Sequence, residues 1–215
     1  MNLLDLINNV HLKLSSIDGV ETSKVTLSEP CSSFELEELE KKFGTTFSNQ
    51  LKDIYLNYSS SILFSWSVDD ARFGLNCKRG YINLIPPIDV IKRYEDMISM
   101  VEEGKFNTDE LEENEGLKAL VEDWPNWIPI FSFTNGDCFC IDKSTNGNPI
   151  ILLEHDVMDG GPNVHGLKLA VNFDDLIDKW SKIGFVDIYD WSEGTDENGI
   201  DLNKTMFENL IIRLI

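Results

Sequence analysis

Basic residues are scarce in this chain: 18 Lys and Arg stand against 38 Asp and Glu, giving a formal net charge of −20 and a pI near 4.3. Such a field repels phosphate backbones, so no nucleic-acid partner is expected, and anionic membrane surfaces are disfavoured for the same reason. Cysteine is sparse too. Four thiols in 215 residues do not make a disulfide framework. Cys138 and Cys140 are spaced too tightly for a usual zinc knuckle, and no second pair accompanies them. No apolar run approaches the roughly 18 residues that cross a bilayer. The N-terminus lacks the basic start and continuous apolar core of a signal peptide, which reads as a cytoplasmic protein. Phosphate-cradling glycine loops, a Gly-x-Ser-x-Gly elbow and a His-Glu-x-x-His helix are all missing. These absences point to a protein that binds rather than catalyses, with no cofactor and no metal expected.

What is present is a globular composition: 42% apolar residues, 5 Trp and 12 Phe, enough for a core without staples. The spacing predicts a helix over Leu3, Leu6, Ile7, Val10, Leu14 and Ile17, closed by Gly19. A connector from Glu21 to Pro30 carries one short strand around Val25 to Leu27. Ser32 and Glu35 form a capping box for a helix with Leu36, Leu39 and Phe43 inward and Gly44 as its cap. A third helix, Ser48 to Tyr58, is expected to bury Leu51, Ile54 and Tyr58. The period then changes to two, with Ile62, Phe64 and Trp66 on one face of a strand. Another strand around Tyr81 to Ile85 stops at Pro86 and Pro87, which open a helix with Ile88, Ile91, Tyr94, Ile98 and Val101 as its stripe. Ile128–Thr134, Cys138–Asp142 and Pro149–Glu154 read as an antiparallel meander turned at Asn135-Gly136 and Asn146-Gly147. Leu167 to Val171 offers a further strand. Asn172 or Asp174 caps a helix carrying Phe173, Leu176, Ile177 and Trp180, ended by Gly184, and Thr205 to Ile215 closes the chain as a short helix or strand. No repeat or linker divides the sequence. The fold class is α+β, a central antiparallel β-sheet flanked by helices.

In this order the features resemble the SUKH superfamily. The matching residues are Phe34-Glu35-Leu36-Glu37-Glu38-Leu39-Glu40, Phe43-Gly44 and the helix Leu51 to Tyr58. They continue with Trp127-Ile128-Pro129-Ile130, Asn135-Gly136-Asp137, Ile141-Asp142, Leu153-Glu154-His155-Asp156, and Phe173 to Trp180 with Gly184-Phe185. The resemblance spans roughly residues 28 to 192 and implies one SUKH-like domain over 1–215, with an N-terminal helix at 1–19 and an extension at 193–215. It departs at Tyr58-Ser59-Ser60-Ser61, where many members carry Asn-Gly, and in a longer, more acidic insertion from about Glu102 to Asp123. The resemblance implies an immunity protein that binds and neutralises a cognate toxin of a bacterial intercellular-competition system, often a nuclease or deaminase. The alternative it implies is a regulatory or scaffold module acting on an endogenous partner.

Three constellations admit chemistry. His155-Asp156 with His165 could ligate a metal or act as acid and base, or be a strand end and its turn; the turn is favoured. Cys138 and Cys140 share one side of a strand, where cysteines serve as small hydrophobes. Asp137 and Asp142 flank hairpin turns and read as turn residues before acid and base. Phe64-Ser65-Trp66 and Trp124-Pro125-Asn126-Trp127 suit either an interface or a core, with core favoured. The acidity is uneven: residues 95–123 hold 11 acidic and 2 basic residues, and 187–201 hold 6 acidic and none basic. Candidate partner-binding residues in the first run are Glu102, Glu103, Asp109, Glu110, Glu112, Glu113 and Glu115. In the second they are Asp187, Asp190, Glu193, Asp196 and Glu197. They would attract a basic protein toxin and raise its encounter rate; acidity that serves solubility alone is the other reading.

Overall fold

A computed structural model describes residues 2–69, 77–106, 115–155, 164–188, 191–207 and 210. The architecture is α+β. Helix α1 (Leu3–Ser15) starts where the Asn2 side chain accepts from the Asp5 amide, and it buries Leu3, Ile7, Val10 and Leu14. Short strands β1 (Val20–Thr22) and β2 (Thr26–Leu27) follow; only β2 had a sequence signal. Helix α2 (Ser33–Phe43) carries the expected capping box, and Gly44 ends it at φ +63°, a left-handed conformation that favours glycine.

Helix α3 (Asn49–Asp53) passes into a wider π turn, Ile54–Tyr58, where the Ser59 amide donates to Ile54 O. That extra residue per turn rotates the end of the helix. Tyr55 is fully buried and its hydroxyl donates to Ile85 O at 2.8 Å, whereas Tyr58, expected inside, stays 38% exposed. Helix α4 (Pro87–Phe106) departs similarly from expectation. Val90, Met97 and Val101 are buried, Tyr94 is half-buried, and Ile88 is exposed. Two stripes were available on this helix, and Ile88 stands two residues, about 200° of rotation, from Val90. Helix α5 (Glu115–Asp123) and a tight turn at Trp124–Asn126 lead into the meander.

Among the described residues an eight-stranded antiparallel sheet has the order β1-β3-β4-β5-β6-β7-β8, with β2 also pairing β3. Its remaining strands are β3 (Ile62–Val68), β4 (Arg79–Leu84), β5 (Trp127–Ser132), β6 (Cys138–Asp142), β7 (Ile150–Leu153) and β8 (Lys168–Ala170). The two Asn-Gly pairs lie in the β5–β6 and β6–β7 connections, with Gly136 and Gly147 at positive φ. Helix α6 (Phe173–Lys182) is capped by Asn172, whose side chain accepts from the Asp175 amide. A small hairpin without a clear sequence signal, β9 (Thr195–Asp196) with β10 (Gly199–Ile200), comes last; of the closing segment, residues 205–207 are helical.

The sheet separates two apolar clusters. On one face α1, α2 and α6 cover Phe64, Phe131, Phe139, Ile141 and Leu152, with Trp180 at the centre of an aromatic group. On the other, α4 and α5 cover Trp127, Cys138, Cys140, Ile151 and Leu153. Phe64, Trp66, Trp124 and Trp127 are therefore core residues, each no more than 5% exposed.

The turn after α6 locks the larger cluster. Gly184 O accepts from the Trp66 indole at 2.6 Å, Phe185 O from the Tyr81 amide at 2.9 Å, and Val186 O from the Trp180 indole at 2.8 Å. Phe185 holds φ +56°, costly for a bulky residue by about 1–2 kcal/mol, offset by complete burial of its ring. Trp66 lies over Gly80, its partner on β4: a Cβ there would come within 1.9 Å of the indole nitrogen. Gly80→Ala should displace the ring and leave Gly184 O without its donor. The expected loss is about 2–4 kcal/mol of unfolding free energy, read from urea denaturation, with a change in Trp fluorescence.

Candidate functional site

Alternation along β3 and β4 builds the side of the sheet that faces away from the larger cluster. Ile62, Phe64 and Trp66 point inward with Ile82 and Leu84. Leu63, Ser65 and Ser67 point outward, in register with Asn83, Tyr81 and Arg79. None of these six is fully buried, and Leu63 is 38% exposed. The Asn83 amide donates to the Ser132 hydroxyl at 2.8 Å, extending the polar floor onto β5.

Two hollows lie over this floor. The larger, about 840 Å³, is bounded by Asn83 and Ser132 below and by Asp89, Lys92, Arg93, Asp96 and Met100 of α4 beside it, so its wall carries two acidic and two basic side chains. The smaller, about 380 Å³, takes in Ser65, Ser67, Arg79, Tyr81, Thr134 and Asp187. Arg79 Nε donates to Asp187 Oδ2 at 2.8 Å, and the Asp187 amide donates back to Arg79 O at 3.0 Å. Burial raises the Asp187 pKa, and the Arg79 guanidinium opposes that rise.

The acidic candidates have different surroundings. Glu102 and Glu103 are exposed at the end of α4, and Glu102 pairs with Lys105 at 2.8 Å, a surface pair of little energetic weight. Glu193, Asp196 and Glu197 are exposed on the Trp191–Gly194 turn and the β9–β10 hairpin. Asp187 has a side chain only 12% exposed and already engaged by Arg79. Glu115 opens α5. Asp109, Glu110, Glu112, Glu113 and Asp190 lie outside the described residues. The two acidic runs nevertheless meet one surface: Asp96 borders the larger hollow and Asp187 the smaller.

His155 sits at the edge of the larger hollow, its Nδ1 2.8 Å from Asp137 Oδ1, and its backbone amide donates to the same oxygen at 3.0 Å. Asp137 also accepts from Asn135 Nδ2, so it organises the hairpin turn. Asp142 does the same for the next turn, accepting from the Ser144 amide and from the Ser144 and Thr145 hydroxyls. Each aspartate is engaged in its own turn, and no hydrogen bond joins the two among the described residues. Asp156 lies outside the described residues, and among those described no three His, Cys, Asp or Glu side chains gather to hold a metal ion. Cys138 lies close to the His155–Asp137 pair, which invites comparison with a nucleophile constellation. Its thiol is buried, pushed up to about 11 by burial against the pull of Arg93, whose Nη1 donates to the sulfur at 3.4 Å. A protonated, enclosed thiol is a poor nucleophile. Both strand cysteines serve as core hydrophobes.

His165 packs 4.7 Å, ring to ring, from Trp127. Burial pulls its pKa down to about 4, against its hydrogen bond with the Glu154 backbone and the charge of Asp137. The unfolded chain, with histidine near 6.5, binds this proton more readily, so stability is lost as pH falls from about 6.5 toward 4. That loss is about 2–3 kcal/mol. His165→Phe should flatten this part of the profile, seen as a smaller drop in urea midpoint between pH 7 and pH 4.5 than in the natural sequence.

The sequence signalled this face only through the weak side of the β3 alternation. The Arg79–Asp187 and His155–Asp137 pairs join distant segments and carry no local pattern. The family model described as SMI1/KNR4 family (SUKH-1) matches residues 30–179, from α2 into α6, well over half of the chain. That family includes immunity proteins and SMI1/KNR4-like regulators, and its members bind partner proteins. No curated protein matches the chain.

Proposed function

We propose, because the chain belongs to the SMI1/KNR4 family (SUKH-1), that it is an immunity protein which binds and neutralises a basic toxin of a bacterial intercellular-competition system. The observation that carries this reading is the concentration of carboxylates on exposed turns and helix ends, at Glu102, Glu103, Glu193, Asp196 and Glu197. A nuclease-like toxin lines its active site with Lys and Arg, and an acidic surface both accelerates encounter and competes with the phosphate substrate. The whole chain acts as one SUKH-like unit in this reading, and catalysis by the protein itself is not required. Among the described residues no helix is long and apolar enough to cross a membrane.

Co-expression with the toxin domain encoded beside the gene should restore growth and yield a stable complex on size-exclusion chromatography. Growth arrest that persists with every neighbouring toxin, together with a phenotype on deletion in a toxin-free background, would assign the protein to the regulatory branch instead. Replacing Glu102, Glu103, Glu193, Asp196 and Glu197 by Gln or Asn should slow toxin association about tenfold at low salt, with the difference shrinking as salt rises. The thermal midpoint should move by no more than a few degrees, because these side chains are exposed.

A further inference from the structure

We propose that Asn146, in the β6–β7 turn, is a site of spontaneous covalent modification in the folded protein, where the side-chain amide is lost and an aspartyl or isoaspartyl residue takes its place. This goes beyond the immunity reading and does not depend on it.

The chemistry needs only the chain and water. The Gly147 backbone nitrogen attacks Cγ of Asn146. The new N–C bond closes a succinimide ring and the Cγ–Nδ2 bond breaks. The proton lost by the attacking nitrogen leaves with the side-chain amide as ammonia. Water then opens the ring at either of its carbonyls. One opening restores the ordinary main chain with an aspartyl side chain; the other routes the main chain through Cγ and gives isoaspartate. A glycine after the asparagine favours the first step, because no side chain shields its amide or limits its rotation.

The sequence holds three Asn-Gly pairs, and the structure separates them. At Asn135-Gly136 both reacting groups are engaged. The Gly136 amide donates to Phe133 O at 3.2 Å, while the Asn135 side chain donates to Asp137 Oδ2 at 2.6 Å and accepts from the Asp137 amide at 3.2 Å. At Asn198-Gly199 the glycine is buried in the β9–β10 ladder opposite Asp196. It lies under the Leu169 carbonyl, where a Cβ would come within 2.2 Å of the oxygen. The Asn198 amide donates to Asp196 Oδ1 at 2.7 Å, and its carbonyl accepts from Lys179 Nζ at 3.1 Å. Protected groups of this kind react only when their hydrogen bonds open.

Asn146-Gly147 has none of these restraints. Both residues are exposed, and among the described residues neither the Gly147 amide nor the Asn146 side chain has a hydrogen-bond partner. The space around the glycine is open: a Cβ there would meet Val171 O at an ordinary 3.7 Å. The turn is anchored on either side, by the Ser144 and Thr145 bonds to Asp142 and by the Asn148 amide on Thr145 O at 3.1 Å. The reacting peptide is thus the free one between held neighbours. Conversion adds a negative charge to the chain. The isoaspartyl form also adds a main-chain carbon inside the turn that the Asn148–Thr145 bond closes.

The test incubates the full chain in neutral buffer made with oxygen-18 water, folded in one arm and unfolded in guanidinium chloride in the other. Tandem mass spectrometry follows each asparagine through its gain in mass. Unfolded, the three pairs should convert at similar rates. Folded, Asn146 should stay within about fivefold of its unfolded rate, while Asn135 and Asn198 fall at least about tenfold below Asn146. The aged natural chain should also accept methyl groups from S-adenosylmethionine through an isoaspartyl carboxyl methyltransferase, and Asn146→Gln should lose most of that acceptance. The proposal is overturned if folded Asn146 keeps its amide over a period that converts the unfolded chain. Conversion of folded Asn135 or Asn198 as fast as Asn146 overturns it equally. Neither of these outcomes depends on a variant that must fold.

Discussion

Three successive carbonyls, those of Gly184, Phe185 and Val186, hold the molecule in its arrangement. Each receives a donor from a different element: the Trp66 indole of β3, the backbone of Tyr81 in β4, and the Trp180 indole of α6. Buried indole and amide groups carry a penalty unless they are bonded. This turn discharges that penalty for two large rings and a central strand at once. It can do so because Gly184 and Phe185 both adopt positive φ, which bends the chain back over β4 immediately after the helix. The ring of Trp66 then needs the space over Gly80, so a residue without a side chain on one strand is a condition for the hydrogen bond on another.

With α6 fixed to one side of the sheet, the two sides differ in what they can do. The side towards α1 and α6 is closed by aromatic packing around Trp180. The other is covered by α4 and α5 only over the meander, where Cys138, Cys140 and Leu153 lie beneath them. Over β3 and β4 it presents Ser65, Tyr81 and Asn83. The same Tyr81 whose amide is tied to the turn borders the smaller hollow and sets its half-buried ring beside Phe133 of the larger cluster. A rigid scaffold and an open polar surface meet in one residue.

Much of this was legible in the sequence where the determinants are local. The capping box at Ser32 and Glu35, the Asn172 cap and the Asn-Gly pairs encode their conformations within a few residues, and each element appears where those signals place it. Departures arise where tertiary contacts choose between local options. Tyr55 replaces Tyr58 in the core because a π turn changes the helix phase and because Ile85 O offers the buried hydroxyl an acceptor. Val90 and Met97 replace Ile88 because α4 had two possible stripes and the sheet selected one. The candidate site was legible as charge, through the two acidic runs, and not as shape. The Arg79–Asp187 pair spans more than a hundred residues, and the His155–Asp137 pair depends on how the meander closes. His155 pairs with Asp137, at the head of β6, while Asp156 lies outside the described residues.

The polar floor on β3 and β4 also has a consequence for the entropy of association. Long side chains such as Lys, Glu and Met lose about 1.5–2 kcal/mol of rotamer freedom when fixed at an interface. Serine and asparagine have few rotamers to lose, and Asn83 is already held by Ser132. The β4 backbone beneath them is bonded by β3 along its length, by β5 at Leu84 and by Phe185 O at Tyr81. A ligand settling there therefore orders little that is not already ordered. The cost of forming the complex falls almost wholly on the incoming chain, and the surface acts as a preorganised template rather than a mould that must set around its guest.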